Sequence, residues 1–172
     1  MEIAVQPVGT AHRAAVLALR VRADQLDYVG TMRDMLLDAE ACPGSEPMAI
    51  LRDDRVVGYY RLDFPAAREE SARLQIEYVT LRCYLVDASA QRSGIGAAAM
   101  SAICADLRVR YPLLARIALN VDPENSTALD LYRRCGFVHV ADLAYGGRNG
   151  PQHVLHLEIP SADLPRDTAI GR

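Results

Sequence analysis

The chain has 172 residues, half of them apolar and a quarter charged, the make-up of one ordinary globular domain able to bury about 70% of the surface its unfolded form exposes. Its 19 basic residues are all arginine, since the sequence contains no lysine, and they are outnumbered by 22 acidic ones, giving a net charge of −3 that argues against a nucleic-acid partner. No window approaches about 18 uninterrupted apolar residues, and Met1-Glu2-Ile3 does not open a basic segment followed by an apolar run, so no membrane association and a cytoplasmic location are expected.

The alternation from Glu2 to Val8 predicts a first strand, and Thr10 is placed to cap a helix with Ala14, Leu17, Ala18 and Val21 at helical spacing. Gly30 interrupts it. Thr31 is the expected cap of a second helix, Met32 to Ala41, with Met32, Met35, Leu36 and Ala39 inward and Asp34, Asp38 and Glu40 outward, closed by Pro43 and Pro47. Met48 to Arg52 and Arg55 to Phe64 flank Asp53-Asp54 as a tight hairpin. Pro65 to Ser71 reads as a connection, and Ala72 to Val86 as a long strand with room for a bulge. An alanine-rich helix, Ala97 to Arg110, ends before Pro112, and a strand follows from Arg116 to Val121. Asn125 caps a short helix, Ser126 to Arg134, and Gly136 stands where a left-handed C-terminal residue belongs. Phe137 to Tyr145 and Gln152 to Ile159 form a last hairpin, which as an exposed edge offers strand pairing in a homodimer. The pattern predicts one α/β domain over residues 1–160, a mixed and mostly antiparallel central sheet with helices on both faces, and a loose tail over 161–172. Cys42, Cys83, Cys104 and Cys135 are widely spaced and read as reduced core thiols.

Gln91-Arg92-Ser93-Gly94-Ile95-Gly96 lies between a strand and a helix, a placement that binds anions. The glycines let the backbone turn tightly, the first helical turn offers unpaired N–H groups at the positive dipole end, Arg92 adds a fixed charge and Ser93 a hydroxyl. Gly94 to Ala99 also satisfies a loose dinucleotide fingerprint. That reading needs the turn directly after its strand and an acidic residue about 20 positions on, whereas seven residues separate Val86 from Gly94 and position 114 is leucine. A strand-to-helix turn that binds nothing is the plainest alternative.

The segment from Asn125 to Phe137 carries the second signal. Ala128, Leu131 and Cys135 form an inward stripe at helical spacing, while Asn125 and Tyr132, two turns apart, aim polar groups along one edge. The pairing of Gln91-x-x-Gly94-x-Gly96 with Asn125-x-x-Ala128-x-x-Leu131-Tyr132-x-x-x-Gly136-Phe137 resembles the GNAT N-acetyltransferase superfamily, and the order of elements over roughly residues 1–160 is similar to that fold. Members often carry proline where Ala88 stands and Arg-Gly where Gln91-Arg92 stands; both changes keep the glycines.

The resemblance implies acetyl-CoA as co-substrate, its diphosphate held by Gln91, Arg92, Ser93, Gly94, Ile95, Gly96 and Ala97, and its pantetheine arm and thioester carbonyl meeting backbone amides of Leu85 and Val86. It further implies Tyr132 as proton donor to the sulfur, Asn125 as a hydrogen-bonding partner of the pantetheine or a bound water, and direct attack by an amine in a ternary complex. The residues themselves offer Glu77, in an apolar stretch, as base; its alternative role is a solvent-facing carboxylate on an alternating strand. Asp24, Asp27, Asp34 and Asp38 either attract a cationic acceptor or form a solvated face. The acceptor is a small-molecule or peptide amine. No metal is expected, since His139, His153 and His156 lack metal-ligand spacing and read as structural or exposed. A CoA-binding sensor without turnover is the rival to an enzyme.

Overall fold

In the computed structural model, which describes residues 1–65, 77–147 and 150–159, one seven-stranded sheet runs through the molecule in the order β1-β2-β3-β4-β5-β7-β6. The strands are β1 (Ile3–Pro7), β2 (Ser45–Arg52), β3 (Arg55–Asp63), β4 (Tyr78–Val86), β5 (Arg116–Val121), β6 (Val138–Gly147) and β7 (Gly150–Glu158). Only β4 and β5 are parallel; every other pairing is antiparallel. Helices α1 (Thr10–Leu17), α2 (Leu26–Val29) and α3 (Met32–Ala41) precede the hairpin of β2 and β3, α4 (Ile95–Arg110) joins β4 to β5, and α5 (Ser126–Arg134) joins β5 to β6. The expected mixed sheet with helices on both faces is what forms.

Two apolar clusters show how the faces are filled. Ile95, Ala99, Met100, Ile103 and Leu107 of α4 pack against Met48, Ile50, Tyr60, Leu62, Leu81, Ile117 and Leu119 on one face. Val16 with Met32, Met35 and Leu36 of α3 covers Ala49, Leu51, Tyr59 and Leu85 on the other. The strict alternation of Met48, Ala49, Ile50 and Leu51 between the clusters is the period-two geometry of a strand buried on both sides.

One interruption of that alternation matters. On β4, Val79 and Leu81 belong to the α4 face, but Leu85 belongs to the α3 face. Between Tyr59 and Arg61 the register shifts, so that β4 spends three steps (Arg82 to Leu85) against two on β3, and Cys83 takes a positive φ of 52°. The extra residue is a bulge, and it re-aims everything after it by one face.

Several sequence expectations shift in detail. Gly9 rather than Thr10 occupies the first cap, and that helix stops at Leu17, giving way to a 3-10 turn at Ala23–Gln25. Pro47 does not close α3 but lies inside β2, which starts at Ser45 near the sheet's outer edge. Thr31 caps α3 as expected, its Oγ1 accepting from Asp34 N at 3.2 Å, and Asp53-Asp54 turn the hairpin with φ of 47° and 63°. The connection at 66–71, the start of the expected long strand at 72–76 and the tail at 161–172 fall outside the described residues.

Gly58 faces Val86 across β3 and β4, and a Cβ there would lie 2.6 Å from the Leu85 carbonyl oxygen and 3.0 Å from Ile50 Cδ1. Gly58→Ala is therefore expected to force the end of β4 outward and to destabilise the fold by about 1–3 kcal/mol, read as a lower urea midpoint; an unchanged midpoint would show that the strands yield without cost.

Candidate active site

β4 and β5 pair at only three positions, Tyr78 with Arg116, Val79 with Ile117 and Thr80 with Ala118. Past Thr80, β4 continues along β3 as far as Val86, while β5 stays on β7 as far as Val121. A wedge opens between two neighbouring strands, and backbone groups on its walls lose their ladder partners. Asp87 N donates to Val57 O at 2.8 Å on the β3 side. By antiparallel alternation the Leu85 amide serves that same ladder, and the Val86 N–H and C=O face the wedge. The Val86 carbonyl indeed accepts from Gln91 Nε2 at 3.0 Å. Of the two amides expected here, Val86 is the one directed into the opening, and Leu85 contributes to the wall.

The glycine turn closes the wedge. Asp87 anchors it: Oδ1 accepts from Ser89 N (3.0 Å) and Ser89 Oγ (2.5 Å), and Oδ2 accepts from Arg20 N (2.8 Å). Burial works against this carboxylate's charge, but the donors from Ser89 and Arg20 outweigh it and hold its pKa below the usual range. After a 3-10 turn at Ala88–Ala90, Arg92 and Gly94 both take positive φ, 60° and 81°. A Cβ on Gly94 would meet nothing within 4 Å, so glycine is favoured there by its backbone angle rather than by space. The ladder of α4 begins with Ala98 N donating to Gly94 O (3.1 Å), so the amides of Ile95, Gly96 and Ala97 have no partner within the helix. Ser93 departs from expectation: its hydroxyl donates back to Ala90 O at 2.6 Å, which braces the turn instead of offering the proton to a ligand.

The opposite wall is α5. Asn125 Oδ1 accepts from Ala128 N at 3.1 Å as the helix cap, so the carboxamide N–H groups are what this side chain has to donate. Leu131 Cδ2 would lie 3.2 Å from a Cβ on Gly96, and α5 sits against the first turn of α4 because that Cβ is missing. The buried stripe of α5 runs through Leu129 and Tyr132, with Ala128 and Cys135 only partly buried, a quarter-turn away from the stripe expected from spacing. The Tyr132 ring packs in tilted contact with Phe137 at 5.4 Å and Tyr84 at 6.3 Å, and burial pushes its phenol well above the ordinary tyrosine pKa, so it stays protonated at neutral pH.

The result is a cleft of about 330 Å³ lined by Leu85, Val86, Gln91, Arg92, Gly94, Ile95, Gly96, Ala97, Asn125 and Tyr132, all expected from sequence. It is also lined by residues the sequence reading missed, chiefly Arg22, Gln25, Tyr84 and Arg134. Tyr84 reaches the α4 side only because of the Cys83 bulge, and its hydroxyl donates to Gly96 O at 2.5 Å. Gln25 Oε1 accepts from Gln91 Nε2 at 2.8 Å, and Ala88 N donates to Arg20 O at 2.7 Å, tying the segment before α2 to the glycine turn. Three guanidinium groups and no carboxylate belong to this lining; Arg22 is offset by its pairing with Asp24, and Arg92 and Arg134 leave the pocket cationic in a protein of net charge −3. A polyanion fits it.

Glu77 is not brought to the cleft. It sits exposed at a bend before β4, its carbonyl accepting from Ala115 N and Arg116 N, at the end of the strand that still pairs with β5. It lies nine positions before Val86, roughly 30 Å along the strand. The acidic residues offered as a cation site are also engaged: Asp24 pairs with Arg22 (2.6 Å), Asp34 accepts from Thr31 Oγ1 (2.7 Å), and Asp38 pairs with the buried Arg61. The side chain of Asp27 lies outside the described residues.

Residues 15–137 match the family model described as acetyltransferase (GNAT) family. The spermine/spermidine N(1)-acetyltransferase of Bacillus subtilis (strain 168) is 30% identical over 149 residues, 86% of this chain and 95% of that protein. Among solved structures, an aminoglycoside acetyltransferase in complex with coenzyme A superposes with a TM-score of 0.71 at 14% identity, covering 91% of this chain and 95% of that one. The ribosomal-protein-alanine N-acetyltransferase of Escherichia coli gives 0.65 at 15% identity, covering 97% and 99%.

Arg92→Ala is expected to weaken coenzyme A binding about tenfold, the loss of one charge-assisted contact at a partly solvated site, with a shallower salt dependence than the parent in isothermal titration calorimetry; an unchanged Kd would remove Arg92 from the anion's surroundings.

Proposed function

The chain belongs to the acetyltransferase (GNAT) family, and from that premise we propose how its cleft is used. It is an acetyl-CoA-dependent N-acetyltransferase. In the proposed reaction a small amine attacks the thioester directly in a ternary complex, Val86 N–H polarises the thioester carbonyl, and Tyr132 protonates the departing sulfur. The observation that carries this reading is that a ladder-free Val86 amide and a buried phenol line one cleft with the unpartnered amides of α4.

Each role follows from the local chemistry. The amides of Ile95, Gly96 and Ala97, with Arg92, supply the donors a diphosphate requires. The Val86 amide is fixed by the β3 ladder on either side of it and needs no reorganisation as negative charge builds on the carbonyl oxygen. Burial makes Tyr132 a weaker acid, but the same dry surroundings also disfavour a thiolate, so the two effects offset each other and the phenol remains able to pass its proton to the departing sulfur. Tyr84, held by its bond to Gly96 O, braces Tyr132 from the β4 side.

No carboxylate or imidazole lines the cleft among the described residues. The amine therefore arrives neutral or loses its proton to water, and its own basicity sets the ascending limb of the pH–rate profile. Support for a small acceptor comes from the relatives matched over most of their length, named for spermine and spermidine, and from the modest cleft.

Tyr132→Phe is expected to lower kcat by about 100-fold while the Kd for acetyl-CoA stays within about twofold; equal turnover would exclude the phenol as acid. In an assay for free CoA thiol, spermine and spermidine are expected to outpace an aminoglycoside and a peptide N-terminus, and a preference for the peptide would overturn the small-amine reading. For the best acceptor, kcat/KM is expected to rise about tenfold per pH unit until the amine's own pKa is reached; a plateau near neutrality, the same for acceptors of different basicity, would reveal a protein base.

A further inference from the structure

Outside the cleft, the last hairpin gathers three ligand-bearing side chains that the chemistry of acetyl transfer does not use. His139 and Asp142 lie on β6 and His153 on β7, spacings of three and eleven residues that carry no metal signature in sequence. Strand pairing brings them together. Asp142 stands directly opposite His153, and His139 opposite Leu155, two residues further along the same face of β7. In a regular strand His139 and Asp142, an odd number of residues apart, would point to opposite faces; the register shift between His139 and Ala141 puts them on the same one.

His139 Nε2 lies 2.9 Å from Asp142 Oδ1 and His153 Nδ1 lies 2.6 Å from the same oxygen, with all three ligand atoms within 4.8 Å of one another and the two rings edge-on at 4.9 Å. We propose that His139, Asp142 and His153 form a binding site for one divalent transition-metal ion of the zinc type, separate from the acetyl-transfer cleft and clamping β6 to β7. A tetrahedral Zn²⁺ with bonds of about 2.0–2.2 Å holds its ligand atoms roughly 3.4 Å apart, so the two nitrogen–oxygen contacts have to open by less than about 1 Å and the two nitrogens, within 4.8 Å of each other, to settle at the same separation. Two imidazoles and a carboxylate are the donor set that suits zinc, nickel or cobalt, while magnesium and calcium want oxygen ligands throughout. The side chains are half to two-thirds exposed at His139 and Asp142 and less so at His153, which leaves a fourth position for water and an open route for the ion. All three are carried on paired strands rather than on a loop, so ordering them costs little beyond what the fold has already fixed. The ion joins the edge strand of the sheet to its neighbour; since none of its ligands lines the cleft, it acts on stability and takes no part in the transfer step.

The experiment uses the full chain, untagged and stripped with a chelator, titrated with ZnCl₂ by calorimetry and followed by thermal melting. One ion per chain is expected, with a saturable rise in Tm because the ion binds the folded state. Affinity should fall about tenfold or more in His153→Ala and in Asp142→Ala, and persist in His156→Ala, whose side chain belongs to the other face of β7, and in Cys42→Ser, which removes an exposed thiol. MgCl₂ should give no shift, and chelator should leave the acetyl-transfer rate unchanged. Absence of saturable zinc binding up to about 100 µM, or binding that survives in the His139→Ala/His153→Ala double variant, overturns the proposal.

Discussion

The bulge at Cys83 is the constraint on which the site depends. A single extra residue in β4, with a backbone angle that a side chain rarely adopts, converts a strand that was alternating correctly into one that presents Leu85 to the α3 face and Tyr84 to the α4 face. Tyr84 then reaches Gly96 and Tyr132, and the Val86 carbonyl reaches Gln91. Because β4 parts from β5 just before the bulge, the re-aimed groups look into an opening and not into a neighbouring strand. Strain of this kind persists only where surrounding packing over-determines it, and here both faces of the sheet are filled around it.

Much of this was legible beforehand because it rests on local rules. Thr31 and Asn125 cap the helices expected of them, Asp53-Asp54 make the turn, and Gly136 takes the left-handed angle expected after α5, with φ of 92°. What escaped was decided by tertiary geometry. In sequence Tyr84 is one apolar-strand residue among several: the length of the run leaves room for a bulge, but nothing local places it at Cys83 or turns Tyr84 to the other face. Gln25 is separated from Gln91 by 66 positions, and only the folding of the 3-10 turn over the cleft joins them. Glu77 was offered as a base because it sat in an apolar stretch of sequence; the strand begins one residue later, and the charge stays in water at its start. For His139, Asp142 and His153, proximity is a property of a register shift, which sequence spacing does not encode.

A chain without lysine also distributes its charge in a particular way. Arg61 is almost fully buried on β3, bonded to Asp63 through Nε and to Asp38 of α3 through Nη1, while Arg82 on the adjacent strand reaches the same Asp63 at 3.2 Å. The planar guanidinium can serve two carboxylates at once, a task for which an ammonium is poorly shaped. Arg110 does the same between Asp106 and Glu46, tying α4 to β2. These pairs fix helices to the sheet and absorb the acidic side chains that a count of charges would otherwise credit to acceptor binding. The arginines left facing the cleft therefore dominate its potential, although the protein as a whole is acidic.

That division bears on how one wedge can serve two substrates of opposite charge. On the proposed use of the cleft, Arg92 and the amides of α4 that lack helical partners would hold the diphosphate, and a cationic amine approaching there would be repelled. The amine must come in from another side of the wedge, or from solution as the neutral form that the reaction needs in any case. Once a polyanion occupies the arginine-lined part, its charges offset those guanidinium groups and the field that repels the amine falls. Gln25, which links the segment before α2 to Gln91 and so to the Val86 carbonyl, puts two walls of the cleft on one hydrogen-bonded chain. On the proposed mechanism, filling the anion site first would remove an electrostatic barrier to the amine, so the arrangement of charge favours a nucleotide that binds before the acceptor.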